Sequence, residues 1–256
     1  MTRGAPDSTM PGHRLTAWIK RAARLAAAVV ALTATGTAAR AQQVLVQANV
    51  ADDTVKTTFG PNRRYFGHLH FGFGLVAGPA GRGAALRSGV SSAELRGGGR
   101  LKVRLSQALA CNLDLSYAFL RYDLAQNGQK TVPSSALHRR ESLGLHQVCS
   151  EASFRLNAGR RGNAVGRYLD LLAGGGWVAA TRHTTEDDPA PGIGSVGTTE
   201  RGLPYLRRWT GGVGARLGID RYALTARYRL SSAFGPGYAA WPELPRVVVG
   251  VEVGLF

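Results

Sequence analysis

The sequence predicts an all-β fold, an eight-stranded antiparallel up-and-down barrel over residues 65–256. Three observations lead to this prediction. Thirty-four glycines among 256 residues disfavour a compact helical bundle, because glycine is among the poorest helix formers. Apolar and polar residues alternate with a period of two, which is typical of strands with two different faces. The connections between the alternating segments are short and long in strict turn, which puts all the short turns at one end of the sheet.

Residues 1–41 are predicted to be a cleavable signal peptide. A basic segment at residues 20–24 precedes an apolar run at residues 25–32, and an Ala-X-Ala cleavage pattern follows at residues 39–41. The apolar run is too short to cross a membrane as a helix. Residues 42–64 are then predicted to form a short N-terminal periplasmic tail that leads into the barrel.

Eight segments carry the alternation that predicts strands. It is clearest at residues 109–121, where cysteine, leucine and aromatic residues fall on one face and polar residues on the other. Each segment is close to the roughly 9–11 residues with which a β-strand crosses a membrane. In the other seven segments the alternating residues lie within residues 69–75, 101–105, 148–156, 169–177, 209–217, 221–230 and 247–255.

The predicted connections indicate how the strands are arranged. Short turns on one side and long loops on the other are typical of outer-membrane barrels. A closed barrel also leaves no unpaired strand edge, which lipid could not solvate. The short turns are predicted at residues 106–107, 159–163 and 220, and the long loops at residues 79–92, 125–140, 182–206 and 235–243.

Alternation alone does not distinguish a membrane barrel from a soluble, lipocalin-like barrel, whose apolar face points inward around a ligand. Three features favour the transmembrane barrel. Charged residues and many glycines share the polar face, Phe256 ends the last strand, and aromatic residues lie near strand ends. These aromatic residues are Tyr117, Phe119, Trp177, Trp209, Tyr222 and Tyr228.

With its export signal, eight alternating strands, Gly-rich first two strands and a last strand ending in Phe256, the chain resembles the PorT-like and OmpA-like outer-membrane β-barrel families. The resemblance covers residues 65–256 and rests on diffuse motifs. It implies a barrel in a Gram-negative cell envelope, surrounded by outer-membrane lipid and inserted by the barrel-assembly machinery. The chain departs from the pattern because Val251, Val253 and Leu255 carry the outward phase and Phe256 does not.

The net charge of +16 raises the question of nucleic-acid binding. Six of the 32 basic residues lie within residues 1–41, against one acidic residue there. The others are scattered singly along the chain instead of forming a stripe with aromatic neighbours. We therefore expect no nucleic-acid partner, and a basic surface beside anionic lipid headgroups is the better use of the charge.

One cluster could carry hydrolytic chemistry, His183 with Glu186, Asp187 and Asp188 in the predicted third long loop. No nucleophile motif accompanies it, so it is interpreted as a solvated acidic loop tip. The cluster also lacks the ligand spacing of a calcium loop.

His68 and His70 share one face of the first strand and could together ligate a metal. Two histidines without a third ligand are more often inward polar residues, so we predict no metal site. No catalytic or cofactor-binding residue is predicted either, and the protein is expected not to be an enzyme. A barrel enzyme acting on lipid or peptide remains an alternative.

The two cysteines are predicted to be free thiols. Cys111 falls on the outward face of the third strand and Cys149 on the inward face of the fourth. A hairpin centred near residue 132 sets Cys111 opposite a position near 153. Both the faces and the register therefore oppose a disulfide bond.

The predicted function is a non-enzymatic barrel with a structural or surface-interaction role, whose outer loops contact an extracellular partner. Eight strands leave an interior that side chains can fill, and unpaired charges there would be costly. Arginine–carboxylate pairs across the interior are expected to close it, and a small porin-like solute channel is the alternative. The inward residues are Arg100, Lys102, Arg104, Arg155, Arg216, Arg227 and Arg229, with Glu94, Asp114, Glu151, Asp170 and Glu252.

Overall fold

The computed structural model describes residues 58–87, 90–159, 162–188 and 194–256. The predicted signal peptide and most of the predicted tail lie outside these described residues. No helix in the described part of the chain is long and apolar enough to cross a membrane.

Nine antiparallel strands in the described residues form a single sheet. The sheet closes in a ring, because β1 pairs with β9 and β4 pairs with β5. The strands are β1 (Tyr65–Ala77), β2 (Ala93–Arg104), β3 (Leu109–Asp123), β4 (Arg140–Ala158), β5 (Arg167–Asp187), β6 (Val196–Arg201), β7 (Trp209–Ile219), β8 (Tyr222–Arg229) and β9 (Val247–Leu255).

Eight of these strands make the ring, and β6 was missed by the sequence prediction. β6 pairs only with the last part of β5, from Arg182 to Asp187, and all six of its residues are exposed. Because neither of its faces is apolar, β6 has no hydrophobic alternation by which it could be recognised.

Short turns join β2 to β3, β4 to β5 and β7 to β8, so they share one end of the ring, here called the inner end. Asp220 in the β7–β8 turn has φ of 51°, and its carboxylate accepts a hydrogen bond of 2.9 Å from the Gly166 N–H. The four longer connections lie at the outer end. There β4 and β5 reach 19 and 21 residues. Residues 182–187, which the sequence predicted to be the start of the third long loop, therefore belong to β5.

The two faces of the sheet are inverted relative to a soluble protein. Outward-facing Leu69, Leu115 and Leu224 are 62%, 63% and 61% exposed. Inward-facing Arg155 and Arg216 are 1% and 0% exposed. Buried apolar residues are instead concentrated in two clusters at the two ends of the ring.

The prediction of two free thiols is confirmed. Cys111 is exposed on the outward face and lies opposite Phe154, one position from the predicted partner. Cys149 is buried on the inward face and lies opposite Ser116. The two sulfur atoms are therefore on different faces of the sheet.

Candidate functional site

Near the inner end of the ring interior, Asp170 lies between two arginines and accepts hydrogen bonds from both. Arg155, Asp170 and Arg216 are cross-strand partners on β4, β5 and β7, so their side chains point to the same face at the same level. Arg155 donates to both Asp170 carboxylate oxygens at 2.7 and 2.8 Å, and Arg216 donates to one of them at 2.9 Å. All three side chains are excluded from solvent.

Glu252 on β9 links this group to its neighbours across the interior. Its Oε1 atom lies 2.6 Å from Arg100 Nη2 and 3.3 Å from Arg216 Nε. Arg100 also donates to Asp114 at 2.7 Å. Arg227 Nη2 lies 3.8 Å from the second oxygen of Glu252, which continues the chain of ion pairs.

Glu151 on β4 completes the arrangement towards the outer end. Arg96 and Arg227 each lie 3.0 Å from its Oε1 atom, and Arg96 also bonds Glu94 at 3.0 Å. The result is one continuous charge network with equal numbers of positive and negative side chains. It consists of Arg96, Arg100, Arg155, Arg216 and Arg227 with Glu94, Asp114, Glu151, Asp170 and Glu252.

The sequence prediction named all five carboxylates and four of the five arginines of the charge network. It missed Arg96, which is 6% exposed and joins Glu94 to Glu151. Lys102, Arg104 and Arg229 are also on the inward face, as predicted, but they bind at the two ends of the ring and not within the charge network. The predicted excess of basic over acidic groups is therefore absent from the charge network.

The inner end is covered by residues 58–64, here called the inner cap. Lys102 donates to the Pro61 carbonyl, and Arg104 donates to the Asn62 carbonyl at 2.7 Å. Asn62 in turn donates to the Gly162 carbonyl at 2.7 Å, across the inner end. The sequence predicted residues 42–64 to be a short tail, whereas the described part of that tail, residues 58–64, is bound to the ring.

A small apolar cluster lies just inside the inner cap. It consists of Phe66, Val165, Tyr168 and Ala223 from β1, the β4–β5 turn, β5 and β8. The Arg155 guanidinium stacks on the Tyr168 ring at 3.6 Å from the ring centre, which joins this cluster to the charge network.

The outer end is closed by a second apolar cluster, here called the outer cap. Its members come from all the long connections and from the outer ends of the strands, so the loops pack on one another. The sequence analysis predicted these connections as long loops and predicted no packing between them. The outer cap consists of Ala84, Leu120, Tyr122, Leu124, Val132, Leu143, Leu145, Val178, Leu203, Leu206, Ala233, Phe234 and Leu244.

Backbone hydrogen bonds between loops hold the outer cap together. The Thr131 N–H donates to the Gly83 carbonyl at 3.0 Å, and the Gly81 N–H donates to the Glu243 carbonyl at 2.8 Å. Gly83 has φ of 96°, and a Cβ there would lie 2.3 Å from the Thr131 hydroxyl oxygen. Only glycine therefore permits the first two loops to approach this closely.

Arg229 and Glu243 join β8 to the last outer connection. Arg229 bonds Glu243 at 3.1 Å and also donates to the Leu244 carbonyl at 3.2 Å. Burial alone would raise the pKa of the Glu243 carboxyl, but the Ala233 N–H, the Ser232 hydroxyl and Arg229 hold that pKa below its ordinary value. Glu243 therefore remains ionised at neutral pH.

The predicted cluster of His183, Glu186, Asp187 and Asp188 does not assemble as one site. His183 Nε2 instead lies 2.8 Å from Glu141, whose other oxygen is 2.5 Å from Lys130. The hydrogen bond to Glu141 raises the pKa of His183, and burial opposes this shift without overcoming it. The acidic residues pair separately: Asp187 binds His138 at 2.9 Å, while Asp188 and Glu186 lie 2.7 and 3.8 Å from Arg139.

His68 and His70 both face the interior, as predicted. His70 is 3% exposed and its Nδ1 atom lies 3.8 Å from Asp114, while the His68 ring stacks on Phe66. Within the described residues, no group of three or more histidine, cysteine, aspartate or glutamate side chains could hold a metal ion.

A cavity of about 80 Å³ separates the charge network from the outer cap. Its lining includes Glu94, Arg96 and Glu151 of the charge network and Leu120 and Tyr122 of the outer cap. Glycines on β5 and β7 create the space because they place no side chain in it. Such a volume has room for a few water molecules, which polar walls can bind.

The comparisons with known proteins add no assignment: no protein-family model matches the chain, and no curated protein matches it either.

Proposed function

We propose that the protein is a transmembrane β-barrel of the outer membrane, exported by an N-terminal signal peptide, with a structural or surface-interaction role and no enzymatic activity. The observation that carries this proposal is the inverted distribution of residues. A soluble barrel would expose its charges to water, whereas this ring buries a neutral charge network and exposes leucine, valine and aromatic side chains. Hydrocarbon is the solvent that suits such an exterior.

The height of the apolar exterior supports the same proposal. On β3 the outward residues from Leu109 to Phe119 are apolar or aromatic, with Cys111 among them, and Arg121 follows. The ten rises of about 3.4 Å between Leu109 and Phe119, in a strand tilted by about 40°, cover about 26 Å. This is close to the height of about 25 Å of the apolar band of outer-membrane barrels.

The interior favours a closed barrel over a channel. The charge network fills the middle of the ring, and the inner and outer caps cover its ends. A path for solutes would require breaking ion pairs in which both partners are buried, which is unfavourable. A structural role or binding by the outer surface therefore fits the fold better than transport does.

The best surface for an extracellular partner is the β5–β6 arm. Within the described residues, β6 pairs only with β5, so its other edge carries free backbone N–H and carbonyl groups. Such an edge can accept an additional strand from another protein. We assign the surface-interaction role to this edge.

Cell fractionation combined with gel mobility before and after boiling tests the proposed function. We expect the protein in the outer-membrane fraction, and we expect the unheated sample to migrate differently from the boiled one. A Leu224→Ala variant, which alters one exposed position, should behave as the wild type does. Recovery as a soluble periplasmic protein would overturn the proposal.

A further inference from the structure

Three arginines form one row on the outward face, just above the apolar exterior. Arg121 on β3 lies opposite Gly144 on β4, Gly144 lies opposite Arg182 on β5, and Arg182 lies opposite Arg201 on β6. Directly opposed residues of antiparallel strands point to the same face. The side chains of Arg121, Arg182 and Arg201, here called the arginine row, therefore project together.

The arginine row has no acidic counterpart among the described residues. The nearby carboxylates are engaged elsewhere: Glu186 lies 3.8 Å from Arg139, and Glu200 lies 3.5 Å from His183. The Arg121 Nε atom is buried and has no hydrogen-bond partner in the described part of the chain. Like charges directly opposite each other destabilise a sheet, so Arg182 facing Arg201 is unfavourable unless an anion joins them.

Gly144 is buried and adds no side chain of its own to the arginine row. Neighbouring strands are about 4.8 Å apart, so Arg121 and Arg182 start about 10 Å from each other on either side of it. Two guanidinium groups can converge on one phosphate from that separation, each through paired N–H groups. A Cβ at Gly144 would already lie 3.3 Å from the Phe119 ring.

The level of the arginine row identifies the kind of anion. One step below it on the outward face, the Phe119 and His146 rings lie 4.7 Å apart, and Tyr117 bonds His146. Trp177 and Trp209 face each other on β5 and β7, also at the upper boundary of the apolar exterior. In a membrane, aromatic residues of this kind lie at the headgroup level, so the arginine row would lie among the headgroups of the outer leaflet.

We propose that the arginine row binds the phosphate of a lipid headgroup in the outer leaflet, with the acyl chains of that lipid lying along the apolar exterior below. This inference rests on the proposed function, because it requires the ring to cross a membrane. It assigns part of the protein's positive charge to a specific site.

Binding of lipid A to the full-length chain in detergent micelles tests the proposal, with native mass spectrometry as the readout. We expect the wild type to bind bisphosphorylated lipid A about tenfold more tightly than enzymatically dephosphorylated lipid A, since charge-assisted hydrogen bonds are lost. The double variant Arg182→Gln/Arg201→Gln should lose this preference. The matched control Arg63→Gln/Arg167→Gln removes two exposed arginines at the inner end and should keep it.

Two further measurements distinguish a lipid phosphate from free inorganic phosphate, and distinguish failure of this proposal from failure of the proposed function. Inorganic phosphate at millimolar concentration should not displace the lipid, and displacement would show a site for free anions and overturn the lipid assignment. The lipid assignment would also be overturned if both double variants kept the same preference for bisphosphorylated over dephosphorylated lipid A. Gel mobility of the same samples reports folding. A folded wild type that shows no preference for phosphorylated lipid refutes the lipid-binding proposal alone. A mobility that does not change on heating refutes both that proposal and the proposed function.

Discussion

At the scale of single residues, Asp170 compensates two buried arginines at once. It accepts three hydrogen bonds, two from Arg155 and one from Arg216. We expect Asp170→Asn to destabilise the fold by about 3–5 kcal/mol, because it leaves buried positive charge without a partner. Urea unfolding of the refolded protein measures this loss.

Asp220→Asn is the matched control for this substitution. It makes the same chemical change in an exposed turn, and asparagine tolerates the φ of 51° at that position. The control should stay within about 0.5 kcal/mol of the wild type. Equal effects of the two substitutions would contradict the assigned role of the charge network.

Leu115 tests the orientation of the exterior. It is 63% exposed and near the middle of the apolar part of β3. With the proposed membrane location, Leu115→Arg should lower the yield of folded protein in lipid vesicles, since an arginine at the bilayer midplane costs about 2–4 kcal/mol. Leu105→Arg, at a position 61% exposed near the inner end, should cost about 0–1 kcal/mol. A larger effect at Leu105 would mean that the membrane level is misassigned.

Arg96 illustrates which interior residues could be predicted from the sequence. Its phase on β2 follows from Glu94, two positions before it, and from Arg100, four positions after it, so the signal was present. Three successive glycines at residues 97–99 interrupt the alternation and hide it. The partners of Lys102 and Arg104 could not be predicted, because they are backbone carbonyls of a segment without periodicity.

At the scale of structural elements, the outer cap depends on close contact between loops. Gly83→Ala should destabilise it by about 1 kcal/mol or more, because a Cβ is unfavourable at φ of 96° and meets Thr131. Hydrogen exchange at the Thr131 amide, whose bond to Gly83 would weaken, measures the effect. Gly128→Ala is the control, since a Cβ there meets nothing within 4 Å. Faster exchange in both variants would argue against this loop contact.

The ring strands could be predicted because each has a polar inward face and an apolar outward face, which produces an alternation with a period of two. β6 and the outer ends of β4 and β5 could not, since residues such as Thr184 and Thr199 are polar partners on a solvated arm. The outer cap was also missed. Its loop members, such as Val132 and Phe234, are single apolar residues in polar segments, and only the closed ring brings them together.

At the scale of the whole molecule, the closed interior predicts an absence of conductance. We expect refolded protein to give no stable open steps in planar-bilayer recordings, because the charge network and both caps obstruct the ring. A porin of 16 strands, whose lumen is open, is the positive control under the same conditions. Reproducible steps from the wild type would favour the channel alternative.

The pairing of β1 with β9, the first and last strands, makes ring closure a late step of folding. It joins positions as distant as Leu69 and Leu255, so the ring closes only after nearly the whole sheet exists. Contacts of such large sequence separation form slowly, because loop entropy is lost before any pairing compensates for it. Until then β1 and its eventual partner both present long unpaired edges, which are templates for aggregation. Protecting these two edges during assembly is therefore as important for this chain as the stability of the finished ring.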